Sequence, residues 1–281
     1  MPNKKILQEL RDYFNCRQDI PMAFVFGSWA KGKQMLESDF DLAVYFQPEG
    51  KMLEWESEHY YQEEDVVWND VESMVKISTD LVVLNRAPSL LAFSVLQDGI
   101  PLVNKERSLY LDFLLRVSST AEDFSLFTRD FWAIKQRSKS LTEIDRDRLM
   151  MILDFLMMEL EDRAHFKGMT KDIYEDDRSK RRDFERWVEN VMNATIDIAK
   201  IILASEKKKI PRTYKEVLEK LDSVKNFPAG TAQNLAQSVK LRNILAYEYL
   251  DRRFDRLKKF IEDSEKIYDE FIEFVKKFLK F

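Results

Sequence analysis

The spacing of hydrophobic residues changes once along the chain, near Leu109. Before that point, short apolar runs of strand length alternate with stretches in which hydrophobic residues recur every three or four positions. After it, almost every segment has the helical period, and no further strand-like run occurs. The pattern therefore predicts a small region of mixed helices and strands, followed by a region made of helices alone.

The boundaries of the predicted elements follow from this spacing. The first region is predicted to contain helices over residues 4–14 and 52–76, a short helix after Pro88, and strands over residues 22–28, 39–46, 78–85 and 100–104. The second is predicted to contain helices over residues 109–136, 143–166, 180–205, 213–222, 231–250 and 256–280. We expect an α+β protein with one domain over residues 1–130 and an all-α domain over residues 137–281.

Composition narrows the classes of protein and of site. Of 281 residues only 6 are glycine and 7 proline, which disfavours turn-rich sandwiches and barrels. No apolar run approaches the ~18 residues of a membrane helix, and the first residues lack the apolar core of a secretory signal. A cytoplasmic protein without membrane contact is therefore expected. A single cysteine and two histidines exclude an intramolecular disulfide, a cysteine zinc site and a three-histidine metal centre.

One loop and two strands of the first region carry residue types that suit phosphate and metal chemistry. Gly27 lets backbone amides approach an anion closely, and Ser28 adds a hydroxyl donor. Asp39 and Asp41 are two positions apart on a predicted strand, so both carboxylates project from one face. If the next strand lies beside this one, Asp80 adds a third carboxylate at the same edge. Neighbouring carboxylates repel each other unless a cation lies between them, and their hard oxygen atoms suit Mg²⁺.

These residues resemble the DNA polymerase β-like nucleotidyltransferase superfamily, and in particular its minimal nucleotidyltransferase (MNT) branch, the MntA-type antitoxins. The resemblance lies in the stretches GSWAKGKQMLESDFDLAV and TDLVVLNRAPSLLAFSVLQDGIPLVN and covers residues 1–130. It implies a small mixed-sheet domain that uses ATP with Mg²⁺. The implied site consists of phosphate-binding Gly27 and Ser28 and metal-binding Asp39, Asp41 and Asp80, the last of which would also activate the acceptor hydroxyl.

Lys31 stands where the resembled family commonly has an arginine. It is expected to meet the ATP phosphates as a point charge, without the bidentate fork of a guanidinium. A second class of enzyme stays open on the same residues. Small-molecule nucleotidyltransferases of the aminoglycoside-modifying kind pair a similar catalytic domain with a helical one. The net charge of −5, with its acidic excess over residues 1–137, agrees with a basic substrate.

The helical region resembles HEPN domains of the HepT type over residues 137–281. The resemblance lies in AIKQR, VENVMNATIDIAKIILA and PRTYKEVLEKL, and in a motif of Arg, four residues, His, one residue and Tyr. Here Arg242 and Tyr249 match that motif, while Tyr247 occupies the histidine position. The family uses the arginine and histidine to cleave RNA, so Arg242 and Tyr247 are the candidate ribonuclease residues. Because an ordinary tyrosine has a pKa of about 10 and stays protonated at neutral pH, ribonuclease activity is left open.

Together the two resemblances imply a toxin–antitoxin pair fused in one chain. The nucleotidyltransferase would transfer AMP from ATP to the hydroxyl of Tyr249, in the HEPN domain of its own or a partner chain, with Tyr247 as a second acceptor. A homodimer formed through the HEPN domains is expected. RNA, including tRNA, is the further partner under the alternative that the HEPN module acts as an RNA-binding or ribonuclease dimer.

Overall fold

The computed structural model describes residues 4–32, 39–48, 53–56, 58–137, 140–247 and 253–280. The chain forms two compact units, Met1–Ser125 and Leu126–Phe281, and each buries its own set of hydrophobic side chains. The boundary between them falls inside one long helix. None of the described helices is both long and apolar enough to cross a membrane. The domain limits of 1–130 and 137–281 stay predictions.

The first unit contains a four-stranded sheet and the helices that cover it. Its described helices are α1 (Lys4–Cys16), α2 (Gly27–Ala30), α3 (Glu64–Val75), α4 (Ser89–Asp98) and the first part of α5 (Arg107–Lys135). Its described strands are β1 (Met22–Val25), β2 (Phe40–Tyr45), β3 (Thr79–Val83) and β4 (Ile100–Asn104). The strand order is β3-β2-β1-β4; β2 and β3 are parallel and the other two neighbouring pairs are antiparallel. The sheet is therefore mixed, as predicted.

Both faces of this sheet are covered, which explains why its central strands are almost continuously apolar. On one face, α1 and α3 complete a core that includes Leu42. On the other face, α4 and α5 complete a core that includes Ala43 and Tyr45. Because side chains alternate along a strand, the odd-numbered residues of β2 lie on the α4 side, and this sets the face of the candidate site.

The predicted helix over residues 52–76 is wrong in its first half, because among the described residues there only Glu64–Val75 is helical. The earlier part is held instead by a buried side chain of the sheet. The Tyr45 hydroxyl accepts a hydrogen bond from the N–H of Glu54 at 2.9 Å and donates one to the Glu54 carbonyl at 2.8 Å. These bonds satisfy backbone groups that a helix would have satisfied internally.

The second unit is helical in its described regular elements, as predicted. These elements are the end of α5, α6 (Glu143–Glu161), α7 (Arg163–Lys167), α8 (Lys171–Asp176), α9 (Arg178–Ser205), α10 (Tyr214–Glu219), a 3-10 turn (Lys220–Ser223), α11 (Thr231–Tyr247) and α12 (Arg253–Lys280). The predicted helix over residues 143–166 is divided at Asp162. The hydrophobic pattern does not predict α8, which begins where the Thr170 hydroxyl accepts a hydrogen bond from the N–H of Ile173.

A partly buried ion network joins three helices of the second unit. Lys200 on α9 is only 5% exposed and lies 2.8 Å from the carboxylate of Asp130 on α5. The same carboxylate accepts a hydrogen bond of 3.0 Å from Arg148 on α6. Burial opposes the ionised form of Asp130, but the bonds from Arg148 and Lys200 outweigh it and lower its pKa to about 2. Asp130 is therefore ionised and paired at every pH well above that value.

We expect this network to make the second unit sensitive to acid. The pKa of Asp130 is lower in the folded chain than its ordinary value of 3.8, so its stabilisation is complete above that value and is lost as the pH falls toward about 2. Asp130→Asn should lower the free energy of unfolding by about 2 kcal/mol at neutral pH. Urea unfolding over a pH series should show this difference shrinking in acid, and Asp154→Asn, an exposed position on α6, is the control. A difference that does not change with pH would contradict the assignment.

Candidate active site

Two of the three aspartates singled out in the sequence lie on one side of the sheet, at one end of two strands. Asp41 on β2 is the register partner of Asp80 on β3, and partners on neighbouring strands project to the same side. Asp39 directly precedes β2, and its negative charge acts on Asp41. Asp39 and Asp80 are exposed and Asp41 is partly buried. The carboxylates of Asp41 and Asp80 therefore lie at one edge of the sheet, on the side covered by α4 and α5.

A glycine turn encloses the Asp41 carboxylate. Gly27 follows β1 at a φ of +66°, and Gly27–Ala30 forms one helical turn, α2, where the sequence pattern predicts the end of a strand followed by a loop. A Cβ atom on Gly27 would overlap Oδ2 of Asp41, so this contact needs a residue without a side chain. The N–H of Ser28 donates a hydrogen bond to the Asp41 carboxylate, and the N–H of Phe26 donates one of 3.0 Å to the Asp41 carbonyl. The turn is thus tied to both the side chain and the backbone of Asp41.

The negative charge at this edge is not balanced by the described part of the protein. Burial raises the pKa of Asp41, the hydrogen bond from Ser28 opposes that rise, and the charges of Asp80 and Asp39 add to it. No lysine or arginine within the described ranges forms an ion pair with any of these three aspartates. A cation placed among them would therefore be stabilised by charges that now repel each other.

The donor set fits a magnesium ion that is shared with a nucleotide. Among the described residues, no group of three or more His, Cys, Asp and Glu side chains is arranged to hold a metal ion by itself. Mg²⁺, however, is usually held by one or two carboxylates together with waters and substrate phosphates. Asp41 and Asp80 on adjacent strands supply that number of carboxylates, and Asp39 lies near enough to influence Asp41.

Lys31 lies at the end of the glycine turn, and its partner lies in the second of the two stretches that carry the resemblance. Its Nζ atom is 2.7 Å from Oδ2 of Asp98, the last residue of α4. Asp98 is not among the site residues that the sequence predicts. A signal for it exists, because an acid in the last turn of a helix opposes the helix dipole, and α4 carries no basic residue there.

In the second unit, Arg242 is held between two other helices. Its Nε donates a hydrogen bond of 3.0 Å to Oδ1 of Asn193 on α9, and its guanidinium lies 4.4 Å from the ring centre of Tyr214 on α10. Neither partner belongs to the sequence motif. Tyr247 is the last described residue of α11, and its side chain is outside the description; Tyr249 lies outside the described residues. The roles of both tyrosines stay predictions.

Two family models match the chain, one in each part. A model described as polymerase beta nucleotidyltransferase matches residues 8–108, and a model described as ribonuclease HepT-like matches residues 146–277. The first match contains all the candidate residues of the sheet edge and the glycine turn, and the second contains the motif that begins at Arg242. Among curated proteins, none matches the chain.

Solved structures of toxin–antitoxin proteins match part of the chain. One, described as a toxin–antitoxin with AMP-PNP, has 20% identity and a TM-score of 0.34 over 44% of this chain and 90% of its own. Two mutants of a toxin–antitoxin named MntA-HpeT have 21% and 20% identity and TM-scores of 0.34 and 0.35, over 45% of this chain and 91% of theirs. Each of these matches covers less than half of this chain.

We expect Gly27→Ala to destabilise the protein more than a comparable change elsewhere. The new methyl group would overlap Asp41 at a backbone angle that disfavours alanine, at a cost of about 2–4 kcal/mol. Gly230→Ala is the matched control, since Gly230 also has a positive φ but nothing lies within 4 Å of its added Cβ, so only about 1 kcal/mol is expected. Gly168→Ala, in open space, should be neutral. Urea unfolding measures all three, and equal losses at Gly27 and Gly230 would refute the close approach to Asp41.

Arg242→Ala should also destabilise the protein, because Asn193 would lose a donor and Tyr214 would lose its stacked cation. We expect the free energy of unfolding to fall by about 1–3 kcal/mol. Arg186→Ala is the control: its side chain is 68% exposed and pairs with Glu189 on the surface. Thermal and urea unfolding of both variants give the comparison. Unfolding curves that coincide for the two variants would show that Arg242 has no such packing role.

Proposed function

Because this chain joins a nucleotidyltransferase domain of polymerase beta type to a HepT-like domain, we propose that it transfers AMP from ATP to a tyrosine hydroxyl of the HepT-like domain. The reaction uses Mg²⁺ and releases pyrophosphate. The acceptor domain belongs to the same chain or to the partner chain of a homodimer. In this proposal the chain is a toxin–antitoxin pair fused into one protein, in which the first domain modifies the second.

The sheet edge is the observation that supports this proposal most directly. Asp41 and Asp80 are in register on neighbouring strands, Asp39 lies close by, and no described lysine or arginine pairs with them. Like charges held together in this way are unfavourable without a cation. The adjacent turn at Gly27 holds the Asp41 carboxylate in place instead of letting it turn away into solvent. A site built to bind a metal ion with its anionic substrate accounts for both features.

Each residue of the site has a role in the proposed transfer. Mg²⁺, when bound by Asp41 and its neighbours, supplies positive charge that offsets the charge on the reacting phosphate. Gly27 leaves the space that the Asp41 carboxylate occupies, and Ser28 orients that carboxylate through its N–H. Lys31 contacts the phosphates. Asp80 receives the proton of the acceptor hydroxyl while the tyrosine oxygen bonds to the α-phosphorus, and the bond from that phosphorus to the bridging oxygen of the pyrophosphate breaks.

Tyr249 is the proposed acceptor, and Tyr247 is the second candidate. Both tyrosines follow Arg242 in the sequence and fall within the residues that the HepT-like model matches. Tyr247 stands where the resembled family has the histidine of its ribonuclease motif. A tyrosine is a poor proton shuttle at neutral pH but is a chemically suitable AMP acceptor. The HepT-like domain is therefore proposed as the substrate of the transfer.

Intact-mass measurement of the full chain after incubation with ATP and Mg²⁺ tests the proposal. We expect the chain to gain the mass of at least one adenylyl group, and to gain none when Mg²⁺ is chelated. Asp41→Asn should slow the gain by at least about a hundredfold, because it removes a carboxylate from the reacting centre. Asp112→Asn removes the same charge from an exposed position on α5 and should react like wild type. Equal rates for the two variants would refute the assigned centre.

Variants of the acceptor locate the modified hydroxyl. Tyr249→Phe combined with Tyr247→Phe should abolish the mass gain, whereas Tyr60→Phe, at a tyrosine that is 55% exposed in the first unit, should not. An adduct that survives in the double variant would assign the acceptor to another residue. AMP found on an added aminoglycoside, and not on the protein, would identify the chain as the small-molecule enzyme instead.

A further inference from the structure

Asp98 occupies a position that helix chemistry disfavours. It is the last residue of α4, where the partial negative charge of the helix end repels a carboxylate, and the last turn contains no basic residue. The end of this helix is also tightly packed. A Cβ atom on the next residue, Gly99, would overlap the carbonyl of Val95 and lie 3.4 Å from the carbonyl of Val25 on β1. An acid at a helix end that it weakens points to a role outside helix stability.

The partner of Asp98 is Lys31, the residue that ends the glycine turn. Their charged atoms are 2.7 Å apart, and the side chains are 50% exposed for Lys31 and 39% exposed for Asp98. An exposed ion pair of this kind stabilises a fold by at most about 1 kcal/mol, and often by less. Stability alone is therefore a weak reason for the pair, while its exposure leaves Lys31 accessible to a ligand from solvent.

The surroundings of Lys31 explain why a partner is needed. The lysine is four residues after Gly27, in the turn that encloses Asp41. The edge beside this turn carries three carboxylates, and no described lysine or arginine forms an ion pair with them. An ammonium group on a flexible four-carbon stem would be attracted to that edge. There it would neutralise the groups that a metal ion requires.

We propose that Asp98 is a positioning residue, which holds the Lys31 ammonium away from Asp39, Asp41 and Asp80. The three carboxylates then stay free for a divalent cation, and the lysine stays available for the phosphates of the nucleotide. A lysine ammonium lies on a flexible four-carbon stem, so its direction depends on the partner with which it pairs. This inference rests on the proposed function, because it gives the two residues a task in binding the metal-bound nucleotide.

Calorimetric binding of α,β-methylene-ATP, which cannot release its AMP group, tests the inference on the full chain. We expect Asp98→Asn to weaken binding in the presence of Mg²⁺ about fivefold, the upper range for one exposed ion pair, and to raise the Mg²⁺ concentration needed for half-maximal binding. Asp98→Glu should restore wild-type binding. Glu9→Gln is the matched control, since it removes one charge from the exposed Lys5–Glu9 pair of the same unit and should have no effect.

The same substitution made in Lys31→Met protein separates a positioning effect of Asp98 from a general effect of its charge. If Asp98 acts through Lys31, Asp98→Asn should change nothing further in Lys31→Met protein. Tighter binding by Asp98→Asn, or an equal effect in both backgrounds, would mean that Asp98 acts on the nucleotide directly and would overturn the inference. The inference would also be overturned if Asp98→Asn protein bound the nucleotide like wild type and still transferred AMP. The proposed function would then stand. If the wild-type protein binds the nucleotide but transfers no AMP, the proposed function alone is refuted. If it does not bind the nucleotide, both the proposed function and this inference are refuted.

Discussion

The carboxylate of Asp41 lies against the backbone of Gly27, and this contact is possible only because residue 27 has no side chain. The contact joins the end of β1 to the start of β2, where Val25 and Leu42 are register partners. It also brings the N–H of Ser28 onto the carboxylate. The parallel register of β2 and β3 then sets Asp80 beside Asp41. One close approach between a backbone and a side chain thus fixes the position of Asp41, and the strand register fixes the position of Asp80 relative to it.

The two units place partly buried carboxylates in opposite electrostatic environments. In the second unit, burial of Asp130 is outweighed by Lys200 and Arg148, and its pKa falls to about 2. In the first unit, burial of Asp41 is reinforced by Asp80 and Asp39, and its pKa rises. The first arrangement is complete within the protein and stabilises the bundle. In the second arrangement, no described lysine or arginine pairs with the carboxylates, which is typical of a carboxylate cluster that binds a charged ligand.

The elements and residue types that depend on local sequence could be predicted, and those that depend on distant packing could not. The α+β fold class, the four strands and the two domain families are confirmed. β2 begins at Phe40, so the predicted sharing of one strand face by Asp39 and Asp41 stays a prediction. Residues 52–76 were mistaken for one helix because the hydroxyl of Tyr45, on another element, holds Glu54. Asp98 and the partners of Arg242 were missed for the same reason, since each contacts a residue that is distant in the sequence. Tyr249 lies outside the described residues, so its role still rests on the sequence.

In the proposed reaction, fusion of the two domains changes how the acceptor hydroxyl is selected. When enzyme and acceptor share a chain, or a dimer of that chain, the acceptor hydroxyl is present at a high effective concentration set by the connection, without any new binding surface. The boundary between the units falls within α5, and a helical connection is stiffer than a glycine-rich linker. Effective concentration is high only for groups that the connection allows to reach the site. In the proposed reaction, selection of one tyrosine would therefore depend on reach more than on recognition of the residues around it, and the carboxylate edge would supply only the metal, the nucleotide and the chemistry.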